Sequence, residues 1–167
     1  MSSTIFVWVA QGFGIGRVPW APGTFGSIVG VLWALTLIAT KSVWGYVAGM
    51  IAGIAIACWI CHHAEKILES HDPPSVVLDE IAALPIAFLP WVLIETQATG
   101  KLPAPEFFVS GKNAWITSII FALFRLSDIA KPPPVRASQC LPGGFGVVAD
   151  DVLAAVYVAI ATLLVLR

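Results

Sequence analysis

Two pairs of adjacent carboxylates dominate the chemistry this sequence could carry. Asp79-Glu80 follows Pro73-Pro74 and is expected about one turn into a helix with Ser75 as its N-cap, while Asp150-Asp151 follows Gly143, Gly144 and Gly146 at the start of another apolar stretch. An ionisable group placed in a membrane helix costs several kcal/mol, so such a carboxylate is a functional candidate by default. Hard oxygen ligands without a His/Cys set suit Mg²⁺, and paired divalent ions are a recurrent way to clamp a phosphoryl group. The plainer alternative is that each pair only complements the positive end of a helix dipole.

Three further residues, Arg125, Asp128 and Lys131, recur at intervals of three and fall within one sector of a helix. A guanidinium at 125 suits bidentate phosphate binding and an ammonium at 131 acts as a point charge; Asp128 either ligates metal or orients the arginine. A simple Arg125–Asp128 salt bridge is the competing reading. Upstream, Gly12-Phe-Gly-Ile-Gly16, Arg17 and Pro22-Gly23-Thr24 offer backbone N–H groups at a helix start, an anion cradle in kind, with a flexible loop as the alternative. The segment matches neither a Walker A pattern nor a dinucleotide fingerprint.

The elements that must position these residues are apolar. The 167-residue chain is 58% hydrophobic and 11% charged, far from the usual soluble balance, and is read as a single domain over 1–167. Nine Lys+Arg against ten Asp+Glu leave no basic surface, so no nucleic-acid partner is expected. Five apolar stretches approach a membrane span: about Thr24 to Thr40, Val43 to Cys61, Ser75 to Glu95, Asn113 to Ala130 and Val147 to Leu166. Only the second is a clear span by itself, and Pro85 and Pro90 are expected to bend the third. The resulting fold class is all-α, a membrane bundle of about four to five helices. If the helices alternate in direction, Arg17, His71, Asp72, the carboxylate pairs, Arg125, Asp128, Lys131 and Arg136 collect at one face. Lys and Arg are slightly richer on that side, which points weakly to a cytoplasmic site. The short apolar stretch Ile5 to Ala10 lacks the charged start of a signal peptide.

Cys58, Cys61 and Cys140 are read as reduced packing residues. Cys58-Trp-Ile-Cys61-His62 has the spacing of a haem-attachment sequence, but it lies at the end of an apolar helix and is not assigned haem or zinc. No Cys precedes an Arg at the spacing of cysteine phosphatases.

Four blocks in order give the chain a recognisable likeness: Gly12-Phe-Gly-Ile-Gly with Pro22-Gly-Thr-Phe-Gly-Ser27; His71-Asp72 with Leu78-Asp-Glu80; Phe124 through Arg136; and Gly143-Gly-Phe-Gly-Val-Val-Ala-Asp-Asp151. Together they resemble the phosphatidylglycerophosphatase A family over about Gly12 to Ala155. That resemblance implies a Mg²⁺-dependent phosphatase of the bacterial inner membrane that converts phosphatidylglycerophosphate, a phospholipid held in the bilayer, to phosphatidylglycerol. It further implies metal or acid–base roles for Asp79, Glu80, Asp128, Asp150 and Asp151, with Asp79, Glu80, Asp128 and Asp150 in the catalytic set. Arg125 and Lys131 would hold the phosphate, with Thr24, Arg17 and Arg136 as further substrate contacts. Hydrolysis by an activated water is the simplest chemistry, a phospho-aspartyl intermediate the alternative.

The sequence departs from the family at Ala83 and Ala155, where members often have Gly, and at Gln139, where an acidic residue is usual in a loop about one residue longer. The rival readings are a phosphatase for another lipid phosphate and a cation channel or transporter subunit using the same carboxylates. A phosphatidyltransferase is disfavoured because its spaced acidic pattern is absent.

Overall fold

The structure, a computed structural model, describes residues 3–133, 135 and 144–166. Among them there are helices and no strand, in the order α1 (Ser3–Ala10), a 3-10 helix (Gly12–Arg17), α2 (Pro22–Ile38), α3 (Val43–Leu68), α4 (Leu78–Thr99), α5 (Pro105–Val109), α6 (Asn113–Ala130) and α7 (Gly144–Leu166). Four of these, α3, α4, α6 and α7, are long and apolar enough to cross a membrane, whereas α2 is shorter at 17 residues. The all-α bundle expected from composition is the one found, and the chain is a membrane protein.

Helix α4 is the hub, packing most extensively on α7 and α2 and then on α3. Its contact with α2 is close because α2 turns Gly23, Ser27, Gly30 and Ala34 to it, a small residue every three or four positions. A Cβ on Gly30 would stand 3.0 Å from Leu84 of α4. The core between them is completed by Leu84, Phe88, Trp91, Val92, Ile38 and Tyr46, all buried. Lipid provides no hydrophobic drive between helices, so this close packing is what holds them together.

Several boundaries differ from expectation for identifiable reasons. α3 runs on past Cys61 to Leu68, because nothing between the two breaks a helix. α4 begins at Leu78, not at Ser75; the Ser75 hydroxyl instead accepts the side-chain amide of Gln11 at 3.0 Å, and Val77 N–H is taken by the Ala10 carbonyl at 3.0 Å. α4 continues through Pro85 and Pro90 to Thr99, and buried Tyr46 donates its hydroxyl to the Pro85 carbonyl at 2.7 Å. α7 starts at Gly144, three residues before the expected Val147. α6 spans the expected Asn113–Ala130. Cys58 and Cys61 are free thiols within α3, and Cys140 lies outside the described residues.

The bundle has two aromatic rims. Trp44 and Trp115 stand exposed at the starts of α3 and α6, and Trp20 stands exposed before α2 at the other end, as side chains that prefer the membrane interface do. The short α1 packs along α3, its Phe6 ring stacked 4.6 Å from His63.

Gly144 seats α7 against α3. An added Cβ there would run into the Cys58 carbonyl and the His62 backbone, neither of which can rotate away. Gly144→Ala is therefore expected to lower stability by about 1–3 kcal/mol through overpacking, read by chemical unfolding in detergent; an unchanged midpoint would show that α7 does not depend on this seat.

Candidate active site

Each end that meets at the cleft does so for a local reason. Pro73-Pro74 cannot extend a helix backwards, so α4 starts just after them and carries Asp79 and Glu80 in its first turn. α6 delivers its last two turns, with Arg125 and Asp128 on one side, and closes on Lys131 in the left-handed conformation. α7 starts three residues earlier than the sequence suggests, so Asp150 and Asp151 sit nearly two turns inside it. The reading of this second pair as a helix-start cap therefore fails, while Asp79 and Glu80 still sit where a helix dipole favours them.

The four ends enclose a cleft of about 310 Å³ lined by Asp72, Asp79, Glu80, Asp128, Asp150 and Asp151 together with Arg125 and Lys131; Ala21 to Gly23, Pro73, Pro74, Val76 and Ile129 form its remaining walls. Among the described residues, six carboxylates thus face two cations, a formal excess of four negative charges. Asp79, Glu80, Asp150 and Asp151 are buried, at 5, 9, 4 and 3% exposure.

Within the cleft the pairing is specific. The Arg125 guanidinium donates to Glu80 Oε1 and Asp128 Oδ2, each at 2.8 Å, and lies 3.4 Å from the Ser27 hydroxyl of α2. This joins α4, α6 and α2 through one side chain. Lys131 Nζ donates to Asp150 Oδ2 at 2.6 Å and stands 3.7 Å from Asp72. The two carboxylate pairs repeat one local device: Asp79 Oδ1 accepts the Glu80 N–H at 3.0 Å, and Asp150 Oδ1 accepts the Asp151 N–H at 3.1 Å. Glu80 Oε2, Asp151 Oδ1 and Arg125 Nε are buried without a hydrogen-bond partner among the described residues. No group of three or more His, Cys, Asp or Glu side chains among those residues stands in a ready ligand arrangement.

Room for this network comes from α2. A Cβ on Gly23 would collide with the Glu80 carboxylate, and one on Gly26 with the same group and Val77, so the two glycines let Glu80 and Arg125 lie against the helix. Lys131, just beyond α6, is pulled two ways. Its partial burial works to lower its pKa, but the hydrogen bond and charge of Asp150, with Asp72 and Asp128 behind, outweigh that and raise it. The ion pair's stabilisation is present at neutral pH and is lost only as pH rises through the alkaline range above the ordinary lysine value.

All five expected metal and acid–base residues, Asp79, Glu80, Asp128, Asp150 and Asp151, line the cleft with Arg125 and Lys131. Thr24 and Arg17 do not line it. Arg17 is exposed and donates from Nε to the Gln11 side chain at 2.7 Å, and the glycine segment ahead of it packs under the approach to α4, where the Ser75 carbonyl lies against Gly16. Arg136 and Gln139 lie outside the described residues. Two residues with no assigned role in the sequence reading join the site: Ser27, whose buried hydroxyl donates to the Gly23 carbonyl at 2.9 Å and receives Arg125, and Asp72. Both stood inside the recurring blocks, which was the available signal.

A helical membrane bundle with a carboxylate-rich, cation-bridged cleft at one end is the class of protein that the fold and the site define. The chain matches phosphatidylglycerophosphatase A over residues 8–166 and belongs to that family, which places it among the phosphoric monoester hydrolases. It is 32% identical over 153 residues to a phosphatidylglycerophosphatase A of Haemophilus influenzae, covering 91% of this chain and 83% of that protein. It is 30% identical over 150 residues to the Escherichia coli K12 protein of the same name, covering 89% and 76%. A Bacteroides thetaiotaomicron protein provisionally designated a phosphatidylinositol-3-phosphatase is 32% identical over 157 residues, covering 90% and 87%. No solved structure matches the chain.

Replacing Arg125 leaves two carboxylates in the cleft without their cation. Arg125→Leu is expected to destabilise the protein by about 3 kcal/mol or more, and Arg125→Leu with Glu80→Leu to cost less than the two changes added; unfolding in detergent measures both, and strict additivity would contradict the pairing.

Proposed function

We propose that the protein hydrolyses the phosphate monoester of phosphatidylglycerophosphate to give phosphatidylglycerol, with Mg²⁺ held by the carboxylates of the cleft. The observation that carries this reading is the charge imbalance. A dianionic phosphate monoester would be repelled from a cleft in which, among the described residues, six carboxylates face two cations, so a substrate of that kind needs added positive charge.

The donor set fits a hard divalent cation in kind. Glu80 Oε2 and Asp151 Oδ1 are buried acceptors without a donor among the described residues, on the two helices that carry the carboxylate pairs. Asp79, Glu80, Asp128, Asp150 and Asp151 would hold the metal, whose chemistry there is charge neutralisation on phosphate oxygens and a lowered pKa for bound water. Arg125 and Lys131 would bind and orient the phosphate, Arg125 offering a planar fork and Lys131 a point charge. Ser27 and Asp128 would fix the guanidinium plane, and the carboxylates would take the proton of the attacking water. The glycerol and acyl chains would stay in the bilayer beside the cleft.

The location that suits this reaction is the bacterial inner membrane with the cleft on the cytoplasmic side, where the slight excess of Lys and Arg lies. The Bacteroides thetaiotaomicron relative supports a second reading, a phosphatase for another lipid monophosphate.

Detergent-purified protein is expected to release phosphate from phosphatidylglycerophosphate with Mg²⁺, to stop on chelation, and to lose about 10²-fold or more in rate as Asp79→Ala. Release from phosphatidylinositol 3-phosphate in preference would move the substrate assignment to the second reading. Full activity of Asp79→Ala, or release indifferent to chelator, would overturn the site assignment.

A further inference from the structure

Outside the cleft, the last turn of α3 holds a buried carboxylate that the reaction does not use. Glu65 is 7% exposed. Its backbone carbonyl accepts the N–H of Glu69 and, at 3.3 Å, that of Ser70, closing the helix. Its side-chain Oε1 accepts His71 Nδ1 at 2.7 Å and the Asp72 backbone N–H at 3.1 Å. One residue thereby ties down four consecutive residues of the following loop. A carboxylate oxygen only accepts, so the histidine tautomer in this contact carries its hydrogen on Nδ1.

The loop needs such a tie. Glu69 and Asp72 both adopt left-handed backbone conformations, φ +49° and +48°, which cost a residue with a Cβ about 1–2 kcal/mol. Conformations of that kind persist only where neighbouring contacts over-determine them. The consequence is local and directed: Asp72 enters the cleft wall, where its carboxylate stands 3.7 Å from Lys131 Nζ. Pro73 and Pro74 then carry the chain stiffly into α4 and the Asp79-Glu80 pair.

We infer that Glu65 is a positioning residue for the phosphate-handling cleft: it clamps the His71–Asp72 turn so that Asp72 is held beside Lys131. The inference rests on the reading of the cleft as a lipid phosphomonoesterase site, and it adds to that reading a residue on α3, a helix that contributes no side chain to the cleft lining. Glu65 acts by geometry, through two hydrogen bonds that any side-chain oxygen at that place can accept. It is not a charge acting on the substrate.

The test uses the full chain in detergent with phosphatidylglycerophosphate and Mg²⁺. Glu65→Ala is expected to lower kcat about tenfold with KM within about twofold, whereas Glu65→Gln, whose amide oxygen still accepts both N–H groups, keeps most of the rate. Asp72→Ala should show a comparable loss, and Glu65→Ala with Asp72→Ala no more than Asp72→Ala alone, because both changes remove one function. Hydrogen exchange at the Asp72 amide, whose N–H the Glu65 side chain holds, should quicken in Glu65→Ala while α4 and α7 stay protected. Unchanged exchange in that loop, a Glu65→Gln variant as defective as Glu65→Ala, or losses that multiply in the double variant would each overturn the clamp. If the wild-type protein releases no phosphate from this lipid, the substrate reading falls by itself and the exchange measurement still decides the role of Glu65.

Discussion

The bundle has to hold, among the described residues, six carboxylates and two cations in one cleft at the end of an apolar protein. Charge in a medium of low polarity is tolerated only where partners and hydrogen bonds stand ready for it. Arg125 meets that requirement for Glu80 and Asp128 together, and Lys131 does so for Asp150. Neither arrangement is confined to one helix. The Arg125 contacts join α6 to α4 and α2, and the Lys131 contacts join the end of α6 to α7 and to the loop after α3. The electrostatics of the cleft therefore dictate which helix ends must meet.

Close packing is what lets them meet. In lipid the helices gain little from burying apolar side chains against one another, and small residues that allow backbones to approach take over that role. On α2 the same stripe serves both ends of this requirement. Gly30 and Ala34 bring α2 against Leu84 and its neighbours deep in the bundle, while Gly23 and Gly26 leave the volume that Glu80 and Arg125 occupy at the cleft. A larger residue at the upper positions would displace the charged network before it disturbed the helix. Packing and chemistry are thus continuous along one face of a 17-residue helix.

Most of the cleft was legible in the sequence because its key residues are spaced by helix geometry. Asp79-Glu80 and Asp150-Asp151 can be placed on helices from the Pro and Gly breaks ahead of them, and Arg125 and Asp128 on one helix sector from their spacing; all of them line the cleft with Lys131, which lies just past the end of α6 in a left-handed conformation. The bounds of α6 were equally legible, since polar residues flank it on both sides. What was not legible depends on how helices rotate against one another and on side chains that reach across gaps. Ser75 has the composition of an N-cap, yet its hydroxyl is engaged by Gln11, 64 residues earlier in the chain. Arg17 and Thr24 sit close in sequence to a glycine-rich turn suited to anions, but Gly16 there is packed against the Ser75 carbonyl, and of residues 12–24 only Ala21 to Gly23 line the cleft. Ser27 offered no periodic signal of its own, because its role is to receive a guanidinium from a helix about a hundred residues away. Glu65 lies past Cys61, where the apolar stretch read from the sequence ends; α3 continues through it to Leu68, and it is buried.

The position of the cleft along the bundle follows from the same constraint. Asp79 and Glu80 lie in the first turn of α4, while Asp150 lies six residues into α7, about 9 Å along its axis. A carboxylate at that depth is too far from the helix start to be explained by the dipole, whose influence fades within the first turn. It is stabilised instead by Lys131, which descends to it from the end of the antiparallel α6. Moving the cleft a turn deeper would require a buried lysine or arginine with no route to water, and moving it a turn outward would expose the carboxylates and dilute their mutual field. The observed depth satisfies both limits: the charges gather where the ends of α2, α4, α6 and α7 meet, beside Ile129 and the exposed hydrophobic side chains of α2 and α6. A bundle proposed to take a lipid by its phosphate has to place its charges at that boundary, and long apolar helices that carry their buried carboxylates toward one end suit that placement.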